Sequence, residues 1–457
     1  MVSFRVIAAV AWLSGHVVQA QTPASPSTTR PLRISAGTAR PVPPDTTQEQ
    51  PWSLHFQQTL IDQWHAPFSA PYSGAYSLAP REKAKLSFTS TAFIGRRLWS
   101  GAGLYLNPEV AGGSGLSGAR GIAGFTNGET FRIGNPAPQL YLARLYLRQV
   151  WALGGARAVV EDGPNQLGGT APQRYLALNL GKISIADFFD QNSYSHDPRT
   201  QFFNWSLMSN GAWDYPANTR GYTVGAVAEY VTPAFALRAA TTLVPKQANG
   251  PILNYHYGQA HSETLELTRA YHVAQHPGLV RLLAYRIVAN MGSYRQATAL
   301  EVPDITATRA MGRTKTGLGL SAEQQLTPAI GAFGRVSYND GKHETWAFTE
   351  IDRSASLGLV STGTRWHRPD DRLGLAVVAN GLSAPHRNYL AAGGYGFIIG
   401  DGKLNYSPEM LSEVYYSLNL SHYHAAISPD YQFVLHPAYN RDRGPVSVAA
   451  VRLHVAF

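Results

Sequence analysis

The 457-residue chain contains no cysteine. Disulfide staples and thiolate metal sites are excluded, so stability owes nothing to disulfides. Lysine is scarce: of 38 basic residues only seven are Lys, at 83, 85, 182, 246, 315, 342 and 403. The rest are arginine, whose flat donor fork bonds in two directions and stacks on rings. No block of Lys and Arg occurs, so the formal charge of +9 indicates anionic partners only coarsely and gives no reason to expect nucleic acid. Beyond the N-terminus no apolar run approaches the about 20 residues of a spanning helix. Helical amphipathic periodicity is rare too.

What is present begins with MVSFRVIAAVAWLSGHVVQAQTP, which carries an early Arg5, an apolar run from Val6 to Leu13 and a small-residue site at Val18-Gln19-Ala20. That is the pattern of a secretory signal peptide over residues 1–20, too short to anchor. Residues 21–50 are rich in Pro, Thr and Ser with almost no large apolar side chains, and read as a flexible leader. From 51 to 457 the composition is uniform and shows no linker. Such a span is large for one soluble core, a limit that a closed barrel escapes.

Short segments of period-two alternation recur along this span. In LYLARLYLRQV, residues 140–150, one parity holds Arg144, Tyr146 and Arg148 and the other Tyr141, Ala143, Leu145 and Leu147. Leu104, Leu106, Pro108 and Val110 likewise oppose Tyr105, Asn107 and Glu109. One apolar and one polar face, segments of about ten residues and aromatic residues near segment ends predict a transmembrane antiparallel β-barrel of bacterial outer-membrane type, all-β, with about 16 strands. The first is expected at 52–62 and the last at 446–457, with others between them at 314–326, 350–362 and 372–382. Short connections alternate with long Gly/Asn/Pro-rich ones, and an even count returns both ends to the periplasm. The connection 152–172 breaks the rule, hiding either a strand pair, which would make 18, or a periplasmic insertion. The closing AVRLHVAF puts Val451, Leu453, Val455 and Phe457 on one face. Its terminal aromatic resembles the signal read by the barrel-assembly machinery.

Several motifs point to chemistry and fail on context. GGSGLSG at 112–118 has the spacing G-x-G-x-x-G, but no helix opens on it and no acidic residue follows at the distance a ribose needs. No G-x-S-x-G or H-E-x-x-H occurs. His422 and His424 flank a turn, and nothing orders Asp187 and Asp190 as a glycosidase pair. No catalytic residue, metal or cofactor is expected.

The long loops carry a resemblance. NPEVAGGSGLSGARGIAGFTNGETFRIGNPAP, DFFDQNSYSHDPRTQFFNW with GAWDYPANTRGYT, NDGKHETWAFTEIDRS, APHRNYLAAGGYGFIIGDGKLNY and RGPVSVAAVRLHVAF together resemble the carbohydrate-selective porin (OprB) family over about 51–457. The resemblance implies a sixteen-stranded outer-membrane barrel that passes sugars passively and is narrowed by inward-folded external loops. GGSGLSG then becomes a loop-folding signature in the second external loop, its glycines permitting positive φ.

A sugar offers hydroxyl groups and one apolar face, so aromatic or Arg planes together with acids and amides are the residues to seek. Parity gives Tyr105, Asn107, Glu109, Arg144, Tyr146 and Arg148 on neighbouring strands, with Glu109 and Arg144 as an acid–arginine pair or a structural ladder. The third external loop, 187–217, offers Asp187, Asp190, Asn192, His196, Asp197, Arg199, Asn204, Trp205, Trp213 and Asp214. His196-Asp197-Pro198 reads most simply as a turn. Trp346, Glu350 and Asp352 share a parity further on, and Arg387 and Asn388 are similar candidates. The partners expected are a carbohydrate solute and outer-membrane lipids, with the chain a monomer or a homotrimer. The competing readings are a pore for small acidic solutes, a plugged structural barrel and, remotely, a barrel hydrolase.

Overall fold

The computed structural model describes residues 49–130 and 136–457. The expected signal peptide, and the leader up to residue 48, lie outside the described residues. Among the described residues no helix is long and apolar enough to cross a membrane.

The strands are β1 (Trp52–His65), β2 (Lys85–Trp99), β3 (Ala102–Gly113), β4 (Gln139–Ala152), β5 (Arg157–Val160), β6 (Gly169–Pro172), β7 (Tyr175–Ile183), β8 (Thr223–Val231) and β9 (Phe235–Thr242). They continue as β10 (His261–Val273), β11 (His276–Met291), β12 (Ala310–Thr327), β13 (Ile330–Asn339) and β14 (Arg353–Gly363). The last four are β15 (Arg368–Gly381), β16 (Glu409–Leu420), β17 (Ala425–Leu435) and β18 (Val446–Ala456). Sixteen of them close into one antiparallel barrel, sealed where β1 pairs with β18 from Gln57↔Ala456 to His65↔Val448. β5 and β6 stand apart as a two-stranded sheet. The long 152–172 connection is therefore an insertion that contains a strand pair, and the barrel count stays at sixteen.

Period-two alternation works here with its soluble sense reversed. Leu54, Leu140, Leu265, Leu282, Leu318, Leu357, Leu375 and Val451 are exposed, whereas Thr59, Asn107, Asn179, Glu266 and Arg452 are buried. Leucines on the outer face meet hydrocarbon, and polar groups on the inner face find partners in the lumen. Closure also gives every strand two neighbours, which matters where no water is present to satisfy a free edge.

The lumen is filled from the loop rim. The segment between β7 and β8 leaves one side of the barrel and is bonded to the other. Arg335 on β13 donates to Asp190 at 3.0 Å, Glu413 on β16 accepts from Phe203 N and Asn204 N, and Arg452 on β18 donates to Pro198 O and Gln201 O. A short helix, α1 (Trp205–Met208), sits within it, capped by the Asn204 side chain accepting from Ser206 N. Gly113, at φ +88°, closes β3 where an added Cβ would fall 2.1 Å from Leu86 O, so the GGSGLSG run does serve chain folding.

Candidate pore constriction

The site is built on β3 and β4 and begins with a proline. Pro108 has no N–H to give the ladder, and proline inside a sheet sits at an edge or a bulge. The register slips between Asn107 and Pro108: Asn107 faces Arg144, Pro108 faces Leu142, and Ala143 is left over. Beyond the bulge the parity of β4 inverts. Tyr141, expected on the outer face, turns inward opposite Glu109 and donates to its Oε1.

Glu109 is buried and fully partnered. It accepts from Thr91 Oγ1 at 2.6 Å, from Tyr222 Oη at 3.0 Å and from Arg199 Nη2 at 3.2 Å, besides Tyr141. The expected Glu109–Arg144 pair does not form, because the bulge sets Tyr141 against Glu109 and a loop carboxylate takes the arginine. Arg144 donates through Nε and Nη2 to Asp187 at 2.6 and 2.7 Å, a bidentate fork that fixes the start of the lumen-crossing segment. Arg199, from that segment, donates to Glu129 at 2.7 Å as well as to Glu109. Burial opposes the Arg199 charge, but Glu129 and Glu109 outweigh it and hold the guanidinium well above its usual range. Burial pushes the Glu129 carboxyl up, Arg199 partly restraining it.

A cavity opens at this cluster, lined by Trp205, Tyr215 and Phe348 together with Glu109, Glu129, Arg199, Tyr141 and Tyr222. The rings pack in a run, with Trp205 stacked on Phe348 at 5.8 Å and Phe348 tilted 32° against Tyr215 at 4.3 Å between centroids. Arg220 covers the Tyr141 ring at 4.1 Å. Of these, Glu129, Tyr141, Tyr215, Arg220, Tyr222 and Phe348 were not singled out from sequence.

A family model described as the carbohydrate-selective porin, OprB family, matches residues 78–457. The chain belongs to that family. Its fold and family are those of channels, not of an enzyme. The high-pH structure of Pseudomonas putida OprB matches with a TM-score of 0.65 at 18% identity, covering 89% of this chain and 94% of that one. The outer membrane channel DcaP of Acinetobacter baumannii matches at 0.49 and 9% identity, over 89% of this porin and 97% of that chain. Pseudomonas aeruginosa OccK2 in complex with glucuronate matches at 0.44 and 8% identity, over 89% and 98%. No curated protein matches the sequence. At 18% identity the Pseudomonas putida OprB match speaks to fold alone.

The remaining candidate residues divide by location. Tyr105 and Tyr146 are buried on the lumen face and stack at 5.0 Å. Arg148 bonds Glu229 at 2.6 Å, Glu229 bonds Arg238 at 3.0 Å, and Arg238 lies 3.6 Å from Glu266. This run of alternating sign from β4 to β10 is the wall ladder. The turn lies over 198–200, just past the expected 196–198, and Asp197 caps it by accepting from Arg199 N and Thr200 Oγ1, while burial pushes the neighbouring His196 ring down, toward its neutral form. Asn192 reaches Ser321 on β12. Trp213 is buried against Tyr215.

Trp346, Glu350 and Asp352 precede β14, which begins at Arg353 and not at the expected 350. Trp346 is wholly buried, its N–H and that of Ala347 bound to Asp214. Glu350 accepts from Ile398 N and Ile399 N, and Asp352 from Ser383 N and His386 Nδ1. These carboxylates hold external loops in place. Arg387, on α2 (Ala384–Ala391), lies over Tyr406 at the loop rim, with Asn388 exposed beside it.

Proposed function

We propose that this porin passes carbohydrates across the outer membrane by facilitated diffusion, and that the cluster around Glu109 and Arg199 is where the sugar is held in transit. The observation that carries the reading is that one cavity is lined both by a run of packed aromatic rings and by hydroxyl, carboxylate and guanidinium groups. Ring faces take the apolar side of a pyranose, and the acid–arginine–tyrosine set exchanges hydrogen bonds with its hydroxyl groups. Charge balance supports an uncharged solute over an anion. Arg144, Arg148, Arg199, Arg238, Arg281 and Arg335 each have a carboxylate within ion-pair distance, so each of these arginines carries its counter-charge with it. Tyr105, Asn107, Tyr146 and Arg148 belong in this reading to the wall that the solute meets next. The leucine belt meets outer-membrane lipids, and Phe457, which exchanges backbone hydrogen bonds with Phe56, offers its ring to the assembly machinery.

The test is single-channel conductance of the refolded porin in a planar bilayer, titrated with glucose and short oligosaccharides. Saturable block at millimolar sugar is expected. Glu109→Gln and Trp205→Ala should each weaken it about fivefold, roughly the worth of one hydrogen bond. A channel that no sugar blocks and that strongly prefers anions would overturn the proposal.

A further inference from the structure

The one long connection on the rim of short turns folds into the lumen. Its tip is Gly163-Pro164-Asn165-Gln166, where Gly163 and Gln166 exchange both backbone hydrogen bonds at 3.1 and 2.9 Å. Pro164 occupies the first central position and Asn165, at φ +56°, the second, the residue pattern of a type II turn. The tip is pinned to groups that face inward on two strands, β1 and β3. Ser53 Oγ donates to Gly163 O at 3.2 Å, His55 lies 3.2 Å from Asp162, and Asn107 Nδ2 donates to Asn165 Oδ1 at 2.9 Å. Leu167 packs on the buried cluster that includes Tyr105 and Tyr146.

The depth of this contact is what gives it meaning. Asn107 is opposite Arg144 across β3 and β4, and Arg144 holds Asp187 of the segment that crosses the lumen from the other rim. Two chain segments entering from opposite ends therefore reach the same rung of the wall. On that rung Asn107 is fully buried, and its Oδ1 accepts no hydrogen bond among the described residues. An unfilled acceptor beside a breakable amide–amide bond suits a solute that donates hydroxyl groups.

We propose that the insertion between β4 and β7 forms a second constriction on the exit side of the pore, with Asn165 as its innermost, selectivity-setting group for hydroxylated solutes. The preference for hydroxyl groups rests on the sugar-passage reading above; the constriction itself does not.

Because Gln173 N already donates to Ala156 O at 3.0 Å, Arg157–Pro172 can be replaced by an Asn-Gly turn without opening the barrel. Conductance of that variant in planar bilayers should rise about 1.5- to 2-fold, as expected when one of two constrictions in series is removed. Asn165→Lys and Asn165→Asp, which keep the chain length, should move the chloride-to-potassium permeability ratio in opposite directions from the parent. A shortened channel that conducts like the parent, or identical reversal potentials for the two charge variants, would overturn the proposal. Sugar block of the parent in the same bilayers separates the two claims. Its absence would refute passage of sugar, while the conductance and reversal potentials still decide the constriction.

Discussion

Glu129 shows what a single carboxyl contributes to the cavity. Its direct ion-pair partner is Arg199, and burial raises its pKa above the ordinary 4.5. Glu129 therefore takes up its proton at a higher pH than an ordinary carboxylate does, and once protonated it leaves Arg199 with less compensation. Anion preference, read from reversal potentials, should rise as pH falls through that step, above the range of an ordinary carboxylate. Glu129→Gln should show the acid-side preference already at neutral pH and lose that step. Tyr141 marks where reading single residues fails. Alternation placed it outside, and the inversion came from Pro108 on the neighbouring strand, whose missing N–H forces the bulge. The proline was visible in the sequence, but which strand it faced was not. The same holds for Arg144, whose partner lies on a loop that folding alone brings near.

Strands were legible because lipid on one side and polar lumen on the other impose a period of two over the whole span. Their ends were less so: β12 begins at Ala310 and β15 at Arg368, each four residues before the expected 314 and 372. Backbone pairing continues past the apolar band into polar residues that carry no alternation signal. A charge placed within the band should be costly: Leu357→Arg, at the exposed centre of β14, is expected to lower unfolding free energy in lipid vesicles by about 2–4 kcal/mol. The lumen-crossing segment depends instead on buried ion pairs. Arg335 donates to Asp190, Leu207 O and Ser195 O, so Arg335→Ala strands a buried carboxylate together with two carbonyls. A destabilisation of about 3–5 kcal/mol is expected by denaturant titration, with noisier open-channel current as the segment loosens.

The molecule as a whole is a ring closed by its own two ends. Phe56 N bonds Phe457 O, and Phe457 N bonds Phe56 O, at 3.1 and 2.9 Å. Deleting Phe457 should reduce the fraction that migrates as folded barrel in an unheated gel, since it frees two backbone groups at the seam. The ring also carries its counter-charges with it. Arg148, Glu229, Arg238 and Glu266 alternate along the wall, and Arg281 with Glu323 continues the pattern. Such a surface resembles a zwitterionic lining whose field cancels within a side chain's length, far short of the about 10 Å Debye length at 0.1 M salt. It gathers no cloud of mobile ions of its own. Current through the pore should then track the bulk electrolyte in simple proportion down to dilute solution, and the sugar flux should be indifferent to the salt outside the cell.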